Sequence, residues 1–77
     1  MNKYMVTFHS HFGAMSYFKT LKKQGISTKI MPVPRKVSSS CGICVCYEYD
    51  SVIDLDGYEL DSVFLESVDG WKCIIKK

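Results

Sequence analysis

The run Gly42–Tyr49, "GICVCYEY", most restricts what this chain can become. Its residues alternate strictly, so as a strand Ile43, Val45, Tyr47 and Tyr49 share one face while Cys44, Cys46 and Glu48 share the other. A strand with an apolar face needs a sheet around it and a layer to cover it. Immediately before it lies "PVPRKVSSSC", residues 32–41, in which Pro32 and Pro34 end the preceding extended segment because proline cannot donate to a central ladder.

The other segments follow from their periodicity. "YMVTF", residues 4–8, reads as a strand, and Ser10 caps a helix from His11 to Gln24 in which Ala14, Phe18 and Leu21 recur at helical spacing. Gly25 stops that helix, and "ISTKIMPV" is a second strand. After "DSVIDLDG", the spacing of Leu60, Val63, Phe64 and Val68 predicts a second helix from about Tyr58 to Val68. "WKCIIKK" then supplies a last strand. The expected order is β-α-β-β-α-β, an α+β ferredoxin-like arrangement with a four-stranded antiparallel sheet and both helices on one face.

Seventy-seven residues suit one domain, 1–77, with no internal linker or repeat. A core of that size has little space for an enclosed pocket, which disfavours an enzyme and directs attention to surface chemistry. The uncovered sheet face would let two copies pair as a homodimer. Hydrophobic residues make up 47% and charged ones 23%, an ordinary globular balance. The net charge of +2 is too small for an electrostatic footprint on nucleic acid. The third strand also carries Ile43 and Val45 where RNA-recognition domains carry stacking rings. Lys19, Lys22, Lys23, Lys29, Lys72, Lys76 and Lys77 read as solvated faces and an end tail. Neither a secretory signal nor an apolar run long enough for a membrane span is visible, so a cytoplasmic location is expected, with Cys41, Cys44, Cys46 and Cys73 reduced.

Cys41 is the leading candidate for chemistry. A thiol reacts as thiolate, and cations or oriented donors stabilise that anion. Arg35 and Lys36 would supply charge, Ser38, Ser39 and Ser40 hydrogen bonds, and Gly42 would let a partner's sulfur approach the backbone. The bland alternative is a small apolar residue beside a serine-rich turn. Cys41 and Cys44 also form C-x-x-C, a possible thiol–disulfide pair, although here the motif enters a strand and lacks the helix N-terminus that usually activates the first thiol. Cys41, Cys44 and Cys46 do not readily close a zinc tetrahedron from one strand, so neither a metal nor another cofactor is expected. His9 and His11, beside the first helix, are proton-transfer candidates or plain surface residues.

These residues carry a resemblance. "VTFHSHFGAMSYFKTLKKQGISTKIMPVPRKVSSSCG" is similar to a family of small bacterial domains described as selenium/sulfur carrier-like, over roughly residues 6 to 42. The matching positions are Phe8, Ala14, Gly25, Ile26, Pro32, Pro34, Arg35, Ser39, Ser40, Cys41 and Gly42; the family's pattern leads one to expect a more polar residue than Tyr17. The resemblance implies a carrier that accepts a sulfane sulfur or selenium atom on Cys41, as persulfide or selenosulfide, and hands it on. Its partners would be a donor such as a cysteine desulfurase and an acceptor protein. Two other readings stay open: a small redox module using Cys41 and Cys44, and a protein-binding domain whose thiols are incidental.

Overall fold

The computed structural model describes residues 1–34, 37, 42–53 and 57–76. Its elements are β1 (Asn2–Phe8), α1 (His11–Lys23), β2 (Thr28–Pro32), β3 (Ile43–Tyr49), β4 (Leu60–Ser67) and β5 (Gly70–Lys76). All five strands form one antiparallel sheet in the order β2-β3-β1-β4-β5.

The ferredoxin-like expectation of four strands and two helices is therefore corrected: the segment expected to be the second helix is β4. Leu60, Val63 and Phe64 do fall at helical spacing, but Val63 and Phe64 are also good strand formers, and "VDG" can turn a hairpin. Pairing decides between the two. Along its free edge β1 binds β4, with Val6 opposite Val63 and Met5 opposite Phe64, and β5 then folds back with Ser67 opposite Gly70. Val68, expected to point inward, lies fully exposed in the turn. A strand sends Val63 and Leu65 to one face and Ser62 and Phe64 to the other, which suits a sheet packed on both sides.

The place of the missing helix is taken by the connection between β3 and β4. Val52, Ile53 and Tyr58 from that connection pack against the main core, which contains Tyr4, Val6, Phe8, Ala14, Tyr17, Leu21, Val45, Tyr47, Leu60 and Val63. Ile53 donates its N–H to the Tyr47 hydroxyl at 3.1 Å and accepts from the Tyr17 hydroxyl at 3.2 Å. Desolvation pushes the Tyr47 phenol above its ordinary pKa, against the opposing effect of its hydrogen bonds to Tyr17 and Ile53. Tyr17, where the chain departs from the family's more polar pattern, is 1% exposed and belongs to the main core. Its ring centroid lies 5.4 Å from Phe8, 6.0 Å from Tyr47 and 5.0 Å from Tyr58. Those are separations at which tilted and edge-on ring pairs attract.

Helix α1 is punctuated as its sequence suggests. The Ser10 side chain accepts from Gly13 N–H at 3.1 Å, while its hydroxyl donates to the Glu59 carboxylate. At the other end Gly25, with φ 75°, lets Gly25 N–H reach Lys22 O and Ile26 N–H reach Leu21 O, both at 3.1 Å. That is the Schellman pattern of helix closure, and it turns Ile26 onto the core.

The face opposite α1 has a small core of its own. Met5, Cys44 and Cys46 are buried there, with Met31, Val33, Val37, Phe64 and Trp71 packed around them. Thus no helix is needed to cover it.

Gly13 lets the helix approach the connection closely, since a Cβ there would stand 2.1 Å from the Tyr58 carbonyl oxygen. Gly13→Ala gains about 1 kcal/mol in helix propensity but forces that backbone aside, at a cost of about 1–3 kcal/mol. We expect a lower urea midpoint for the variant; a raised midpoint would mean that the connection is not held against the helix.

Candidate functional site

The connection between β2 and β3 is where sequence places the candidate chemistry. The two strands pair from Thr28 opposite Tyr47 to Pro32 opposite Ile43, and Val33 N–H adds one more bond to Gly42 O at 3.1 Å. Val37 N–H bonds to Pro34 O at 2.9 Å, and the Val33 and Val37 side chains pack on the small core beside Cys44. The segment bearing the Pro-x-Pro motif is thereby tied to the sheet at both its described ends.

Gly42 has φ 75°, a conformation that L side chains rarely adopt, and nothing lies within 4 Å of where its Cβ would be. Glycine is required there by backbone conformation rather than by crowding. Arg35, Ser39, Ser40 and Cys41, with Lys36 and Ser38, lie outside the described residues. Cys44, the candidate second thiol, is in β3 and fully buried, its sulfur 3.9 Å from Pro32 O. No disulfide joins Cys44, Cys46 and Cys73 to one another.

The histidines follow the end of β1, which pairs with the start of β3 at Thr7 opposite Cys44. His9 is half exposed at the end of β1, with its Nε2 4.0 Å from an Asp61 carboxylate oxygen, and His11 is exposed at the start of α1. Neither is brought against a thiol among the described residues.

One feature escaped sequence reasoning. A cleft of about 280 Å³ opens on the face away from α1, lined by Lys3 of β1, Lys29 and Met31 of β2, Cys46 and Glu48 of β3, Glu66 of β4 and Trp71 of β5, among others. Cys46, 9% exposed, lies in its wall. A hydrogen bond from Cys44 holds the Cys46 thiol below its ordinary pKa; burial opposes this, Lys29 and Lys3 reinforce it, and Glu66 opposes it. Period-two alternation had already put Cys44, Cys46 and Glu48 on one face. It could not show which lysines other strands bring to that face.

Residues 3–56 match the family described as "Putative Se/S carrier protein-like", a span running from β1 through β3. The Escherichia coli (strain K12) protein described as "Uncharacterized protein YtiA" is 23% identical over 77 aligned residues, covering 96% of this chain and 91% of its own. No solved structure matches. Among the described residues no helix is long and apolar enough to cross a membrane.

Alkylation of a Cys41→Ser/Cys73→Ser variant isolates the two buried thiols. We expect Cys46 to reach half-maximal rate with iodoacetamide at a lower pH than the same thiol in the urea-unfolded chain, since the anion is the reactive form. Lys29→Met should move that midpoint upward. A midpoint at or above that of the unfolded chain would rule out stabilisation of the thiolate in the cleft.

Proposed function

Because the chain belongs to the Se/S carrier protein-like family, we propose that it carries sulfane sulfur or selenium on Cys41. The family match over residues 3–56 supports this reading most strongly, since the matched span contains the segment of the Pro-x-Pro-Arg and Ser-Ser-Cys-Gly motifs. In the loading step the Cys41 thiolate attacks the outer sulfur of a donor persulfide. The new Cys41 S–S bond forms as the donor's S–S bond breaks, the donor leaves as thiolate, and the terminal sulfur keeps its proton or releases it to water. Delivery repeats the exchange with an acceptor thiolate, so no net oxidant is consumed. Selenium would follow the same course through a selenosulfide.

Arg35 is the proposed charge partner for the thiolate and for the persulfide anion, with Ser39, Ser40 and the Gly42 N–H as hydrogen-bond donors. A carrier of this kind needs a presented thiol and a docking surface, both available to a chain of 77 residues without an enclosed pocket. A cysteine desulfurase is the proposed donor and a protein thiol the acceptor, in the cytoplasm.

The burial of Cys44 favours the carrier over the C-x-x-C redox module. A resolving thiol must reach its partner's sulfur, and Cys44 is fully buried in a sheet strand. Exchange through it would require β3 to open.

The decisive experiment is intact-mass spectrometry of the reduced protein after incubation with a cysteine desulfurase and cysteine. Wild type should gain about 32 Da per sulfur loaded, Cys41→Ser should gain nothing, and Cys44→Ala should load like wild type. Equal loading of wild type and Cys41→Ser would refute Cys41 as acceptor. Arg35→Ala should retain loading at high pH and slow it near neutrality; an unchanged pH profile would remove Arg35 from the mechanism.

A further inference from the structure

The face away from α1 gathers sulfur. Cys44 and Cys46 are two apart on β3 and project to the same side, Met31 is the ladder partner of Cys44 on β2, and Met5 is the partner of Cys46 on β1. Cys46 Sγ lies 3.2 Å from Met31 Sδ, and the Cys44 side chain is hydrogen-bonded to Cys46. Ordinary packing of soft apolar side chains would account for their burial. It does not account for the opening at Cys46, where Met31 and Cys46 together form part of the cleft wall and Lys3 and Lys29 line the same cleft.

We propose that Cys44, Cys46 and Met31 form a three-sulfur site for a soft monovalent metal ion, copper(I). Thiolate and thioether ligands select copper(I) over harder ions. Among the described residues no group of three or more His, Cys, Asp or Glu side chains is placed to hold a metal, so a site for a borderline divalent ion such as zinc is not assembled there. A thioether as third donor changes that balance in favour of copper(I).

Cys46 and Met31 already stand close to the spacing that one shared ion sets. Three sulfurs around one ion, each about 2.3 Å from it, stand about 4 Å from one another. The Cys46–Met31 separation of 3.2 Å would therefore have to widen by less than about 1 Å, which the flexible methionine side chain can provide. Both thiols release their protons to solvent as the ion binds, with no change of oxidation state. Two thiolates and one copper(I) leave a net charge of −1, in a cleft whose lining balances Lys3 and Lys29 against Glu48 and Glu66. The ion enters through the cleft, whose wall Met31 and Cys46 both form, and the fully buried Cys44 receives it from within.

This site is independent of Cys41, and the test keeps the two apart. The Cys41→Ser/Cys73→Ser variant, which retains only Cys44 and Cys46, is titrated anaerobically with copper(I) against the chromophoric chelator bathocuproine disulfonate. The expected result is one copper(I) per chain, an ultraviolet thiolate-to-copper band, and three sulfur neighbours by X-ray absorption. Added to that variant, Cys46→Ser should abolish the band. Met31→Leu, which conserves volume, should weaken binding at least about tenfold, the scale on which even outer-shell partners tune metal affinity. Circular dichroism checks that each variant is folded, and an excess of zinc(II) should not displace the copper. The proposal is overturned by absence of binding in the Cys41→Ser/Cys73→Ser variant, by full binding in folded Met31→Leu, or by displacement with zinc(II). None of these outcomes bears on sulfur loading of Cys41, which is read separately by mass.

Discussion

Strand β1 is the element on which the rest depends. It lies at the centre of the sheet, hydrogen-bonded to β3 on one side and β4 on the other, with Val6 facing Val45 across one ladder and Val63 across the other. Both its faces are buried: Tyr4, Val6 and Phe8 toward α1, Met5 and Thr7 away from it. A central strand buried on both faces must have every polar backbone group paired and both faces covered. That requirement explains why the fourth segment joins the sheet as a strand, and why a second, sulfur-rich core forms where a four-stranded arrangement would leave a bare face.

The two cores differ in material. On the helix side Phe8, Tyr17, Tyr47 and Tyr58 form a chain of ring contacts, and the buried hydroxyls are satisfied by one another and by Ile53. This side is held by geometry specific to rings and hydrogen bonds, and so it fixes the helix against the sheet. On the other side Met5, Met31, Cys44 and Cys46 pack with Val33, Val37, Phe64 and Trp71. Soft, flexible side chains tolerate small displacements better than interlocked rings do. That face lies beside Val33 and Val37 of the connection between β2 and β3.

Charge is distributed in keeping with that division. The net charge is only +2, yet Lys3 and Lys29, from different strands, line one cleft with Cys46. The hydrogen bond from Cys44 is the main cause that lowers the Cys46 pKa, and Lys29 and Lys3 add to it against burial and Glu66. The lysines of α1, far from that cleft in the fold, have no comparable thiol to act on among the described residues; Lys22 lies 5.5 Å from the Phe18 ring centroid instead.

Residue pattern alone sufficed where a segment's preference is local. The strand at Tyr4–Phe8, the helix from Ser10 to Gly25 and the alternating run at Ile43–Tyr49 each carry their own signal in apolar period, cap or glycine, and these segments are found in those states. The family was legible as well, because resemblance resides in linear order, and residues 3–56 match it. Tertiary structure decided the rest. Leu60–Ser67 satisfies a helical and an extended pattern at once, and only the vacant edge of β1 favours the second. Tyr17 looks amphipathic in isolation and becomes a core residue because three other rings converge on it. The cleft at Cys46 draws on β1, β2, β3, β4 and β5, and its thiol owes its acidity partly to Lys29 and Lys3, residues far away in sequence. Propensity acts between near neighbours along the chain, whereas ladder pairing and electrostatic fields act through space, so no linear pattern could have announced them.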